Sequence, residues 1–220
     1  MVKAKRPPET IKKYHFTGFL IVFIMANLIK SIIFPTLVYK DHEVLTEENL
    51  SKINDFCKKV ENYHSQSNLY ELPIFDDLSK KVLILSEVWM NDFDWEYEKL
   101  KITGMWANKM RNGQFHRPHM HPNNLLSGVF YPEDNSSEII FLDPRVQAQV
   151  FNPTLKKHTF INSNIWTFPA RKNTLLLFPA WLMHYVEMVK GSDENRVSVS
   201  FNVMLEGKIG KSEDFTESTI

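Results

Sequence analysis

The 220-residue chain has a single cysteine and no net charge, and it contains no internal repeat or low-complexity tract. Each lack excludes something. One thiol, Cys57, cannot form an internal disulfide, so the fold is not a disulfide framework, and a reducing, cytoplasmic location is expected. Cys57 lies in an amphipathic stretch where a small buried apolar side chain fits. The 26 basic and 26 acidic residues cancel, leaving no overall field to draw the protein to a nucleic-acid backbone or an acidic surface. Nucleic acid is therefore not an expected partner.

A long apolar run is also missing. The block from Phe16 to Ile29 is apolar apart from Thr17 and Asn27, but Lys30 interrupts it after about 14 residues, short of the roughly 20 of a spanning helix. Its basic flank and apolar centre fit a signal sequence or a membrane anchor within residues 16–35, although the small-residue cleavage site is poor. The other reading is an extension, residues 1–28, ahead of a single domain at 29–220 whose first strand is LIKSIIFPTLVYK.

What is present is enough for one core: 43% of residues are hydrophobic and 13% aromatic. The front third reads as helical. Thr46 can cap a helix over about 46–63 whose apolar residues Leu50, Ile53, Cys57 and Val60 fall at helical spacing, with Glu47 and Glu48 in the first turn. A second helix is predicted over about 76–92, with Leu78, Val82, Leu85 and Trp89 facing inward. From Leu100 the period changes to short β-rich runs separated by Pro, Asn, Gly and Asp. The fold class is mainly β with flanking helices: a sandwich, jelly roll or barrel.

Chemistry concentrates in HRPHMH, residues 116–121. On a strand, His119 and His121 share a face and can share a metal, whereas His116 is an odd distance from both and faces elsewhere unless Arg117-Pro118 bends it back. The convincing third ligand is His184 in FPAWLMHYVEMV. In the plainer reading, the pair satisfies backbone groups in a Pro-bounded turn and His184 is a core histidine. Arg196 opens the run RVSVSFN, where a buried guanidinium needs an anion and suits a carboxylate. Ser198 shares its face, and Tyr131, ending the strand after the histidines, can add a third hydrogen bond. The plainer reading here is a surface arginine at a strand end, and the turn KGSDENR before it reads as solvated.

Taken together, H-x-H, a β-run ending in Tyr, LLLFPAWLMH and Arg-x-Ser resemble the 2-oxoglutarate and Fe(II)-dependent oxygenases. The likeness is greatest to a small group of phages and marine bacteria related distantly to prolyl hydroxylases. It spans roughly Ile29 to Leu205 and includes WANKMRNGQFHRPHMHPNNLLSGVFYP and IIFLDPR. The resemblance implies a double-stranded β-helix, a cupin-like jelly roll. It implies Fe(II) on His119, His121 and His184, with Arg196 pairing with the far carboxylate of 2-oxoglutarate, helped by Ser198 and Tyr131. Trp106 and Asn108 would line the mouth. The reaction implied is O2-dependent hydroxylation of a small-molecule or peptide substrate, a prolyl residue among the options, with release of succinate and CO2.

One departure stands out. Most of the superfamily carries H-x-D, two histidines and a carboxylate on one face of the iron. Three outcomes are open: a three-histidine iron site, which the H-x-H of the small group itself favours, a different metal, or completion by Asp143 of LDPR. Two other readings of the whole chain remain, a cupin-like three-histidine metalloenzyme using no keto acid and a non-catalytic jelly-roll binding module.

Overall fold

The protein was studied as a computed structural model that describes residues 31–135, 137–151, 153–190 and 195–220. The chain divides into two units, Met1–Pro35 and Thr36–Ile220. The apolar block Phe16–Ile29, read above as an anchor or an extension, lies outside the described residues, as do residues 191–194 of the KGSDENR turn. Among the described residues no helix is long and apolar enough to cross a membrane.

Unit Thr36–Ile220 opens with β1 (Tyr39–His42), α1 (Glu47–Lys59) and α2 (Asp76–Asp92), then β2 (Lys99–Met110), β3 (His116–His119), β4 (Leu126–Tyr131) and β5 (Ile139–Leu142). It continues with β6 (Ile165–Phe168), β7 (Thr174–Pro179), β8 (His184–Val186) and β9 (Arg196–Glu206), and ends in a small hairpin of β10 (Lys208–Ile209) and β11 (Ser218–Thr219). A five-stranded antiparallel sheet in the order β1-β7-β4-β9-β2 stands with a four-stranded sheet in the order β3-β8-β5-β6. This is the double-stranded β-helix.

Helix α1 starts where its sequence says it should: the Thr46 hydroxyl accepts the Asn49 N–H at 3.4 Å, and Glu47 and Glu48 sit in the positively polarised first turn. It ends at Lys59, short of residue 63, because Val60 turns extended and its N–H closes on the Cys57 carbonyl. The first strand is shorter than LIKSIIFPTLVYK suggests. Only Tyr39–His42 pairs, against β7.

Two cores hold the sheets. In β7, Leu175 and Leu177 face the helices with Leu50, Ile53, Phe75, Leu78 and Val82, while Leu176 and Phe178 face the barrel interior with Val129, Tyr131, Ile139 and Phe141. Strands buried on both faces lose the polar alternation of half-solvated strands, which is why β4 and β7 are buried throughout. Gly128 belongs to this packing: a Cβ there would collide with the Phe201 ring and the Leu176 carbonyl.

The same alternation positions the interior. In β9, Val197, Val199, Phe201 and Val203 pack toward the helices, which turns Arg196, Ser198 and Ser200 inward. In β2, a bulge between Ile102 and Gly104 switches the parity. Leu100 and Ile102 pack on the helical side before it, Met105 and Ala107 after it, so Trp106, Asn108 and Met110 join Arg196 and Ser198 inside.

Candidate metal centre

Three imidazoles meet at the end of the interior. His119 ends β3, His121 lies two residues beyond it, and His184 opens β8, directly across from His119 in register. The loop carrying His121 is pinned to the β7–β8 turn by its own N–H, which donates to the Ala180 carbonyl at 2.9 Å. Together the three residues offer ligand atoms that all lie within 4.8 Å of one another. The His121 and His184 rings stack at 5.2 Å with their Nε2 atoms 3.3 Å apart. Two ligands at right angles on a metal, with bonds of about 2.1 Å, stand roughly 3 Å apart, so the pair is spaced to share an ion.

The lone pairs are aimed as well. His119 Nδ1–H donates to the Arg117 carbonyl at 2.7 Å and His184 Nδ1–H to the Leu182 carbonyl at 2.8 Å. A carbonyl only accepts, so in both rings the hydrogen sits on Nδ1 and Nε2 is left free to bind. Burial pushes His184 down to about 3, against the opposing pull of its Leu182 hydrogen bond, with the neighbouring imidazoles adding to the fall. Burial, then His119, lowers His121 to about 4. Phe178 and Phe141 wall His184 on its apolar side, with ring centres at 4.8 and 5.8 Å.

The guanidinium end is built differently. Arg196 is 3% exposed, and among the described residues no carboxylate lies within ion-pair distance of it. Its Nε–H donates to the Ser137 carbonyl at 3.2 Å, one terminal nitrogen to Ser198 Oγ at 3.3 Å and Met110 Sδ at 3.7 Å, the other to Tyr131 OH at 3.5 Å. Tyr131 is fully buried, and burial raises its phenol above the ordinary value against the opposing Arg196 charge, so its proton stays available.

Asn108 sits behind Ser198 with its hydrogen-bonding capacity filled. Trp106 Nε1–H, which can only donate, points at Asn108 Oδ1 at 3.1 Å and thereby fixes the amide's orientation. His64 Nδ1–H donates to the same oxygen at 2.8 Å, and the amide donates to Ser198 at 3.3 Å and Ser200 at 2.9 Å. Ser198 Oγ therefore accepts from both Asn108 and Arg196, which leaves its hydroxyl hydrogen free to donate. Both amide hydrogens of Asn108 are thus taken, by Ser198 and Ser200.

Asp143, the carboxylate considered as a substitute ligand, is not in the metal-capable group. Arg145 grips both its oxygens at 2.9 Å and holds its carboxyl below the usual range. His42 and His158 bond to Thr174 and Ser163, away from the triad. Two other histidines belong near the site without an assignment from sequence. His64 anchors Asn108, and His116 lies beside His119, pushed down to about 3 by burial and then by Arg196.

Comparison with known proteins bears on the fold and the family. Residues 104–202 match the family model described as "Putative 2OG-Fe(II) oxygenase". No curated protein sequence matches the chain. Among solved structures, HygX from Streptomyces hygroscopicus with nickel and 2-oxoglutarate bound superposes with a TM-score of 0.55 at 12% identity, over 77% of this chain and 82% of that one. The α-ketoglutarate-dependent epimerase SnoN of nogalamycin biosynthesis gives 0.58 at 12% identity, over 77% and 78%. The viral collagen prolyl hydroxylase of Paramecium bursaria Chlorella virus-1 gives 0.52 at 12%, over 80% and 97%. At such identity these likenesses establish the shared fold.

Proposed function

We propose that the chain is a 2OG-Fe(II) oxygenase, the family whose model its residues 104–202 match, and that it hydroxylates a small-molecule or peptide substrate. In this reading His119, His121 and His184 hold Fe(II), and Arg196, Ser198 and Tyr131 grip the distal carboxylate of 2-oxoglutarate. One observation carries it: three imidazole ligand atoms within 4.8 Å of one another stand at the end of an interior that also buries a guanidinium. When bound, ferrous iron and the keto acid together supply O2 activation and oxidative decarboxylation to succinate and CO2, chemistry no side chain here provides.

The chain's own part is binding, orientation and exclusion of water. His119 and His184 are fixed by their backbone carbonyls with Nε2 free, which removes a tautomer choice from metal binding. The lowered His121 and His184 keep their rings unprotonated through the neutral range, so a metal competes with few protons there. Arg196 is pre-aimed by Ser137, Ser198 and Tyr131 to receive a carboxylate. An imidazole at position 121, where most relatives have a carboxylate, leaves the centre one unit more positive and favours a dianionic cosubstrate. A keto-acid-free enzyme on the same scaffold would give Arg196 nothing to bind.

The test is direct. Protein reconstituted with Fe(II) should bind 2-oxoglutarate without O2 and release succinate with it, faster when its substrate is supplied from a panel of metabolites and prolyl peptides. A protein that retains iron yet neither binds nor consumes the keto acid would overturn the assignment.

A further inference from the structure

His116 is the histidine of HRPHMH that the triad leaves over. A step of three residues along a regular strand reverses the face, so His116 and His119 should point apart. They do not. Between them β3 advances three residues while β8 advances two: His116 pairs with Val186 and His119 with His184. The extra residue is a bulge, and it returns His116 to the face of the triad. Its ring lies edge-on to that of His119 at 5.9 Å, and its Nε2 is buried with no hydrogen-bond partner among the described residues.

The surroundings place this ring along the wall between the two ends of the site. Tyr63 covers it at 5.4 Å, held by its own hydroxyl, which donates to the Phe115 carbonyl at 3.1 Å. Its cross-strand partner Val186 packs with Met110 and Tyr63, and the Met110 sulfur accepts from Arg196 at 3.7 Å. His116 thus stands between the imidazole triad and the guanidinium, the span that a bound keto diacid would cross. A buried ring nitrogen left unpartnered is costly, and native structures pair almost all such groups.

We propose that His116 is a further cosubstrate-binding residue, its Nε2–H donating a hydrogen bond to a carboxylate oxygen of 2-oxoglutarate held between the triad and Arg196. The proposal rests on the assignment of that pocket to 2-oxoglutarate. It makes the grip on the cosubstrate two-sided, Arg196 and Ser198 from the five-stranded sheet and His116 from the four-stranded one.

Titration of Mn(II)-loaded protein with 2-oxoglutarate by calorimetry, with no turnover to confuse it, tests this in the wild type, His116→Leu and His116→Gln. Loss of one hydrogen bond to a charged group should weaken binding roughly ten- to hundredfold in His116→Leu. His116→Gln keeps an N–H and should recover much of that loss, while Mn(II) affinity measured without the keto acid stays within about threefold. Unchanged 2-oxoglutarate affinity in His116→Leu overturns the proposal, and so does a fall in Mn(II) affinity large enough to explain the loss. Failure of the wild type itself to bind 2-oxoglutarate overturns the pocket assignment as well, which separates the two. Should a variant not fold, NMR of the Zn(II)-loaded wild type decides. The His116 ring N–H should move downfield and exchange more slowly when 2-oxoglutarate is added, and a resonance that does not respond overturns the proposal.

Discussion

The two ends of the site are made from different material. The guanidinium end rests on the longest strands of the molecule, β2 with 12 residues and β9 with 11, in continuous register from Ala107 to Met110. Every polar group there is held by a neighbour: Asn108 by Trp106 and His64, Ser198 by Asn108, Arg196 by Ser137, Ser198 and Tyr131. The metal end rests on β3 with four residues and β8 with three, and His121 lies outside any strand. The His119 and His184 rings are each oriented by a single hydrogen bond to a carbonyl two residues away. The guanidinium end is pre-organised by the sheet. The metal end takes its precision from local bonds.

That contrast can be broken from either side. The largest effect is expected from His184→Ala, which removes one of the three imidazoles of the triad. Iron retention and succinate release should both fall by more than about a hundredfold, beyond the range typical of outer-shell changes, as read by metal analysis and product assay. Next, Arg196→Met should weaken 2-oxoglutarate binding by about a hundredfold or more while iron affinity holds. Because it replaces a buried charge with an apolar side chain, it should also raise the unfolding midpoint in the absence of cosubstrate. An Arg196→Met protein that binds the keto acid normally would erase the distinction between the two ends.

A smaller effect concerns pH. Folding lowers the pKa of His116, His121 and His184 to about 3, 4 and 3, below the unfolded value near 6.5. Below about pH 6.5 the unfolded chain takes up protons that the folded one refuses, so stability present above that pH is lost as it falls toward 4. Each such imidazole contributes a slope of up to about 1.4 kcal/mol per pH unit, to be read by urea unfolding of chelator-treated protein at pH 7.5, 6 and 5. Saturating Fe(II) should raise the curve without flattening it, since the liganded fold still refuses the protons that the unfolded chain takes up. The smallest effect is expected from Asn108→Ala, which loosens Ser198 without touching the ion. The KM for 2-oxoglutarate should rise by roughly three- to tenfold with kcat little changed, in keeping with the loss of neutral hydrogen bonds.

How much of this was legible in the sequence follows from the same physics. Arg196, Ser198 and Tyr131 could be grouped because strands alternate strictly, and β9 and β4 are regular where they sit. His184 could be paired with H-x-H as a distant third ligand. Helix α1 announced itself through Thr46 and its acidic first turn. What stayed hidden depends on breaks in regularity or on distant pairing. Alternation turns His116 away unless Arg117-Pro118 bends it back, and whether the bend exists depends on the β3 bulge, which the sequence does not specify. His64 reaches Asn108 through an isolated bridge between segments 44 positions apart, which no local pattern records. Of the partners of Asn108, only Trp106 is on its own strand, while His64, Ser198 and Ser200 come from segments that spacing does not connect to it. The extent of the first strand was overread because apolar composition alone does not specify a pairing partner.

The bulge in β3 also sets how this wall of the barrel can change over time. With Arg117 or Pro118 deleted, β3 would advance two residues against the two of β8, and His116 and His119 would share the inward face by plain alternation, with no bulge. The bulge thus absorbs one residue of segment length without changing which rings reach the interior, so residue identity at these positions decides their number.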